Sequence, residues 1–91
     1  EESIRKGVIE IEALERTNLQ RLAGTYEKMD ATQAGKIMLS MAANNQLQDA
    51  VKFLYYMNDR NAGKLLGEIG STQPDIAGVL SLQLKRVKEG G

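Results

Sequence analysis

The sequence predicts an all-α fold, with a long N-terminal helix leading into a compact bundle or superhelix of short helices. Three observations carry that expectation. Abundant Leu, Ile, Ala, Met, Lys and Glu beside a single proline favour helix. Apolar residues recur at three- and four-residue steps through most of the chain. The segment Met29-Asp30-Ala31-Thr32-Gln33-Ala34-Gly35-Lys36-Ile37-Met38 returns 28 residues later as Met57-Asn58-Asp59-Arg60-Asn61-Ala62-Gly63-Lys64-Leu65-Leu66. Met, Ala, Gly and Lys recur identically, as they do where one helical unit is stacked on another. Stacked units usually build a surface that holds another protein.

Residues 3 to 29 read as one helix, with Ile4, Val8, Ile11, Leu22 and Met29 in a stripe and Leu14, Leu19 and Tyr26 alongside. Ile4, Val8 and Ile11 fit a coiled-coil seam, and Glu15 and Asn18 would occupy its next core positions. A buried Glu is costly, so the seam is short or shifts toward Leu14. Glu12 and Arg16 stand at ion-pair spacing. An unbroken helix here would be about 40 Å long, with little of its own chain to cover the first half. A partner helix from a second copy is the economical cover, which makes Ile4, Val8, Ile11 and Leu14 candidate dimerisation residues.

Asp30 opens the second helix as a cap, with Gln33 in the box position, and Asn44-Asn45 ends it. The third covers about 46 to 57, with Leu47, Ala50, Val51, Leu54 and Met57 as its apolar face. Asn58 caps the fourth, and Gly70-Ser71 marks its end. Thr72 caps the fifth, with Pro74 in its first turn and Ile76, Val79, Leu80, Leu82 and Leu84 along it. The expected organisation is a coiled-coil or dimerisation helix over 1–25, a helical-repeat domain over 26–88 and a flexible tail over 89–91. Gly35 and Gly63 each cost about 1 kcal/mol inside a helix. Close approach of a neighbouring backbone would offset that cost, so Met29, Gly35, Met57 and Gly63 are expected helix-packing positions.

Ninety-one residues allow one small domain. The 12 basic and 12 acidic side chains cancel. Residues 1 to 29 hold five basic and six acidic groups, and the remainder seven and six. Neither part has the basic excess of a nucleic-acid footprint. Lys85-Arg86-Val87-Lys88 reads as ordinary complementation of a helix C-terminus. No apolar run reaches the roughly 18 residues of a membrane span. The chain starts at Glu1 without a methionine, so an upstream anchor stays open.

No catalytic set is expected, and neither is a cofactor or a metal site. Without Cys or His, there is no thiolate or imidazole to ligate a metal or act as nucleophile or base. Ser3, Ser40, Ser71 and Ser81 lack a histidine partner, and Ser40 with Lys36 is a plain helical spacing. Ala62-Gly63-Lys64 falls inside a helix, where bonded amides cannot cradle phosphate. Asp59 and Glu68 do not compose a calcium loop. The candidate partner-binding residues are Tyr55 and Tyr56, of which one should pack and one reach the rim, and Lys36, Arg60 and Lys64 as a mild basic strip.

The ordered series Tyr26-Glu27-Lys28-Met29, Ala34-Gly35-Lys36-Ile37-Met38, Ala50-Val51-Lys52-Phe53-Leu54 and Met57 to Leu66 resembles the N-terminal helical-repeat domain of bacterial magnesium transporters and its flagellar relatives. Relatives place paired small residues where this chain has Ala34-Gly35 and Ala62-Gly63, so glycine at the second position is a departure. The resemblance runs from Tyr26 to Leu84 and implies a right-handed arrangement of the short helices. With a leading coiled coil, the chain is most similar to periplasmic flagellar motility proteins of the stator-chaperone and spirochete collar-protein type. That implies a homodimeric, non-catalytic scaffold or chaperone of the bacterial flagellar motor. It would bind stator or collar proteins in the periplasm, tethered to the inner membrane by an upstream helix. The alternative implied is a cytosolic magnesium-responsive regulatory domain of a magnesium transporter. Zero net charge and the absence of dense carboxylates weaken it, as does the long leading helix.

Overall fold

The structure, a computed structural model, describes residues 8–90. Among them the order is β1 (Ile9–Ile11), α1 (Ala13–Glu27), α2 (Ala31–Ala43), α3 (Leu47–Tyr56), α4 (Asp59–Thr72), α5 (Pro74–Leu84) and β2 (Val87–Glu89). The described chain is therefore mostly helical, as the sequence predicts.

The long first helix is corrected. Helix begins only at Ala13, and Ile9–Ile11 is a strand paired in parallel with Val87–Glu89, Ile9 opposite Val87 and Ile11 opposite Glu89. Val8-Ile9-Glu10-Ile11 carries two competing periods. In a helix Ile9 and Ile11 would diverge by about 200°. In a strand both face inward, and the β-branched side chains suit that backbone. Ile9 and Ile11 are buried while Glu10 is exposed, so the two-residue period wins. The Ile9 amide donates to the Arg86 carbonyl at 2.9 Å, and the Gly90 amide donates to the Ile11 carbonyl at 2.7 Å.

This pairing also corrects the expected boundaries. Residues 9–25 are no separate stem: Leu19 and Ala23 of α1 are buried, and α1 packs on α3. The principal extents, 38 × 27 × 22 Å, leave no room for a projecting 40 Å rod among the described residues. Glu89 and Gly90, expected in a loose tail, are held in the strand pairing.

The helices form two layers. In one, α1 packs on α3 and α3 on α5; in the other, α2 packs on α4. Contacts of α2 with α3 and of α4 with α5 join the layers. The core gathers Met38, Val51, Leu54, Met57, Leu65, Ile69 and Leu80. Both expected caps form. Asp30 accepts from the Thr32 amide at 3.1 Å and Asn58 from the Asn61 amide at 2.8 Å. Asn45, at φ 64°, ends α2 in the left-handed conformation, and the Gln46 amide donates back to the Met41 carbonyl at 2.8 Å. Helix α4 runs through Gly70 and Ser71 to Thr72, so Gln73 rather than Thr72 occupies the cap position of α5. Val79 and Leu82, expected along the core side of α5, are exposed; Leu80 is its buried residue.

Candidate functional site

The start of α4 lies beside the start of α2. Ala31 and Ala34 of α2 share a cleft of about 300 Å³ with Asn61, Lys64 and Leu65 of α4. Tyr26, Glu27 and Met29 close it from the end of α1, and Met57 from the link before α4. Met29 and Met57, the paired methionines of the echo, thus meet at one cleft. Its lining combines apolar thioethers, which adapt to the shape of what they touch, with the Lys64 ammonium and the Glu27 and Asp30 carboxylates. Asp30 already caps α2, and Glu27 accepts from the Asn58 amide at 2.5 Å, so both acids serve the helix starts. Further along the same pair of helices, Lys36 lines a smaller crevice of about 110 Å³ with Gly35, Leu39, Glu68 and Ile69. There Thr32 donates to Glu68 at 3.2 Å.

The expected basic strip is therefore split. Lys64 stands at the larger cleft and Lys36 at the smaller one, while Arg60 is exposed near the start of α4. The tyrosine pair divides as helical spacing requires. Tyr56 is half-buried and Tyr55 more exposed, their rings edge to face with centroids 5.0 Å apart. The Tyr56 hydroxyl donates to Glu89 at 3.0 Å. Burial first, then the adjacent carboxylate, raises the pKa of Tyr56 above its ordinary value. Burial alone does the same for Tyr26, whose ring sits 5.2 Å from that of Phe53.

The expected dimerisation residues do not form one seam. Ile4 lies outside the described residues. Ile11 is 0% exposed beneath the strand pair, so it cannot meet a second copy without unfolding β1. Val8 is partly exposed, and Leu14 is 94% exposed on α1. Gly63 is corrected as a packing position: it is exposed, with open space where a Cβ would stand. Gly35 is buried between α2 and α4, but an added Cβ would meet Glu68 and Ile69 at an ordinary 3.6 Å. Packing there accommodates alanine as well.

Arg16 and Lys52 also make polar contacts outside the reach of sequence spacing. Arg16, expected to pair with Glu12, instead places Nε 3.4 Å from Glu89 and donates from Nη2 to the Gly90 carbonyl at 3.3 Å. Lys52 of α3 meets both carboxylate oxygens of Glu15, at 3.1 and 3.3 Å. The Glu12 amide also donates to Glu15, at 2.9 Å. That amide bond, with the bond and charge of Lys52, lowers the Glu15 pKa against the opposing effect of burial. The Arg16 and Lys52 contacts each join residues more than 35 positions apart, a distance at which no local period gives a signal.

Among the described residues no group of three or more acidic side chains is placed to hold a metal ion, and no helix is long and apolar enough to cross a membrane. In comparisons with known proteins, no family model, curated protein or solved structure matches the chain. The arrangement offers a cleft of mixed lining, with Lys64, Asn61 and two carboxylates around buried apolar residues, set on a stack of paired helices.

Proposed function

We propose that the chain is a non-catalytic scaffold or chaperone of the bacterial flagellar motor, binding stator or collar proteins through its helical stack. The observation that carries this reading is the pairing of α2 with α4, each opened by a side-chain cap at the equivalent echo position, Asp30 and Asn58. Repeated cap-and-helix units are an architecture that presents extended surface to another protein. The cleft beside Met29 is lined by both polar and apolar groups, and the exposed Lys64 at it suits an acidic residue on a partner. Tyr55 and Arg60 extend the surface with residue types common at contact centres. The flagellar assignment, the right-handed superhelical form and the periplasmic, membrane-tethered location rest on the resemblance of the series from Tyr26 to Leu84.

A photo-crosslinking residue placed at Lys64 in the native bacterium is expected to yield an adduct with a stator or collar component. Deletion of the gene is expected to abolish swimming and leave motors without that component. Normal swimming and intact motors after deletion would remove the flagellar reading.

A further inference from the structure

Among the described residues β1 and β2 make one sheet, and they are the first and last elements in the chain order. All five helices lie between them in sequence. The strands run parallel, with Ile9 opposite Val87, Glu10 opposite Lys88 and Ile11 opposite Glu89. That direction fixes how the chain enters and leaves the pair. It arrives at the Ile9 end and departs at the Glu89 end, so the two flanking segments point opposite ways. Tension between those segments draws β1 backward and β2 forward along one axis. The strands can then part only by sliding, and every bond across the pair bears load at once. An antiparallel pairing of the same segments would put both exits at one end, where the bonds open one at a time.

We propose that the β1–β2 pair is a mechanical clasp, which carries tension between the segments flanking residues 9 and 90 and shields the five helices from it. Side-chain ties gather on the strand that leaves. Tyr56 of α3 donates its hydroxyl to Glu89 at 3.0 Å, and Arg16 of α1 sets Nε 3.4 Å from the same carboxylate. Arg16 also donates from Nη2 to the Gly90 carbonyl at 3.3 Å. The Gly90 amide donates to the Ile11 carbonyl at 2.7 Å, and a Cβ on Gly90 would stand only 3.1 Å from that oxygen. At the entry end the Ile9 amide donates to the Arg86 carbonyl at 2.9 Å.

The entering strand is held differently. Ile9 and Ile11 are buried, and Val87 opposite Ile9 packs on the core. Sliding therefore drags apolar side chains out of packed positions while it breaks the backbone bonds. Two helices anchor β2 by polar contacts, and the core anchors β1 by burial. The clasp follows from the path of the chain and goes beyond the scaffold reading, whichever partner the helical stack holds. Clasp strength and a swimming phenotype fail separately.

The test is single-molecule force measurement on the 91-residue chain, which has no cysteine of its own to compete for the handles. One double variant, Val8→Cys with Gly91→Cys, pulls along the strands. A second, Val8→Cys with Lys85→Cys, pulls the same entry point against an exposed residue just before β2. It peels the pair from the bond between Ile9 and Arg86. Circular dichroism checks that each variant folds. Lifetime under constant load reads the unfolding rate. It is expected to be at least about tenfold longer along the strands, since two or more backbone bonds must break together. Tyr56→Phe keeps the ring and removes the hydroxyl on Glu89. It is expected to shorten the lifetime along the strands about twofold to fivefold, the worth of one hydrogen bond. The peeling lifetime should hardly change, because peeling starts at the far end. Gly90→Pro, which deletes the amide bonded to Ile11, is expected to act in the same way. Equal lifetimes in the two directions, or a longer one on peeling, would overturn the proposal. So would variants that leave the lifetime along the strands unchanged, or that shorten both directions equally.

Discussion

The interior unit, α2 with α3, and its echo, α4 with α5, use similar residues in different surroundings. Gly35 is buried against α4, whereas Gly63 is exposed. Leu54 is 2% exposed, whereas Leu82 is 58% exposed. Ile37 lies partly open, whereas its counterpart Leu65 is in the core. The last pair shows that α4 turns a different side inward from the one α2 does. Helix α5 likewise packs on α3 and α4 through the side that carries Leu80, which leaves Val79 and Leu82 outside. Burial at a repeat position is therefore set by which side each helix turns inward and not by residue type. The opposite end is closed: α1 covers α3, with Glu15 bound to Lys52 and the Tyr26 ring beside Phe53.

The largest effect expected from this difference is at the leucine pair. Leu54→Ala should cost about 2–5 kcal/mol by removing buried contacts and leaving a cavity. Leu82→Ala should stay within about 0.5 kcal/mol, because the side chain is exposed. Urea unfolding monitored by circular dichroism checks both, and equal losses would break the interior-versus-end distinction. A smaller contrast is expected at the glycines. Gly35→Leu should destabilise by about 1–3 kcal/mol, because atoms beyond Cβ enter the packed space beside Glu68 and Ile69. Gly63→Leu should be neutral or stabilise by a few tenths to about 1 kcal/mol, since it adds helix propensity in open space. Thermal melts that ranked the two variants in the other order would overturn the assignment of Gly63 to the outer side.

The smallest effect sharpens the view of the closed end. Glu15 has a lowered pKa in the folded chain, so its contribution is present above the unfolded value of about 4.3 and is lost as pH falls through the folded value. Because the pair is partly solvated, the contribution is about 1 kcal/mol or less. Glu15→Gln should remove that part of the acid-side loss of stability, read as a flatter dependence of the unfolding midpoint on pH below about 4.3. A variant with the wild-type pH dependence would show that neither the Glu12 amide bond nor the Lys52 pair favours the charged carboxylate.

Local chemistry made the helices and their caps legible. Asp30, Asn44-Asn45 and Asn58 act over two to five residues, within reach of spacing rules, and all three form as expected. The Met29 and Met57 pair was visible as an echo, but its convergence on one cleft was not, because that depends on α2 and α4 lying side by side. Ile11 misled for a definable reason. Its three-residue step from Val8 suits a helix and its two-residue step from Ile9 suits a strand, and only a partner strand from the far end of the chain decides between them.

By itself, then, the sequence determined the helical class, the places where α2 and α4 begin, and the 28-residue repeat, since propensity, capping and periodicity are properties of neighbouring residues. Only the tertiary structure decided which copy of the repeat is covered, that both ends of the described chain meet in a strand pair, and that Arg16, Glu15 and Lys52 find partners far along the chain. Those outcomes depend on what lies across a contact, and an amino acid carries no record of its neighbour in space.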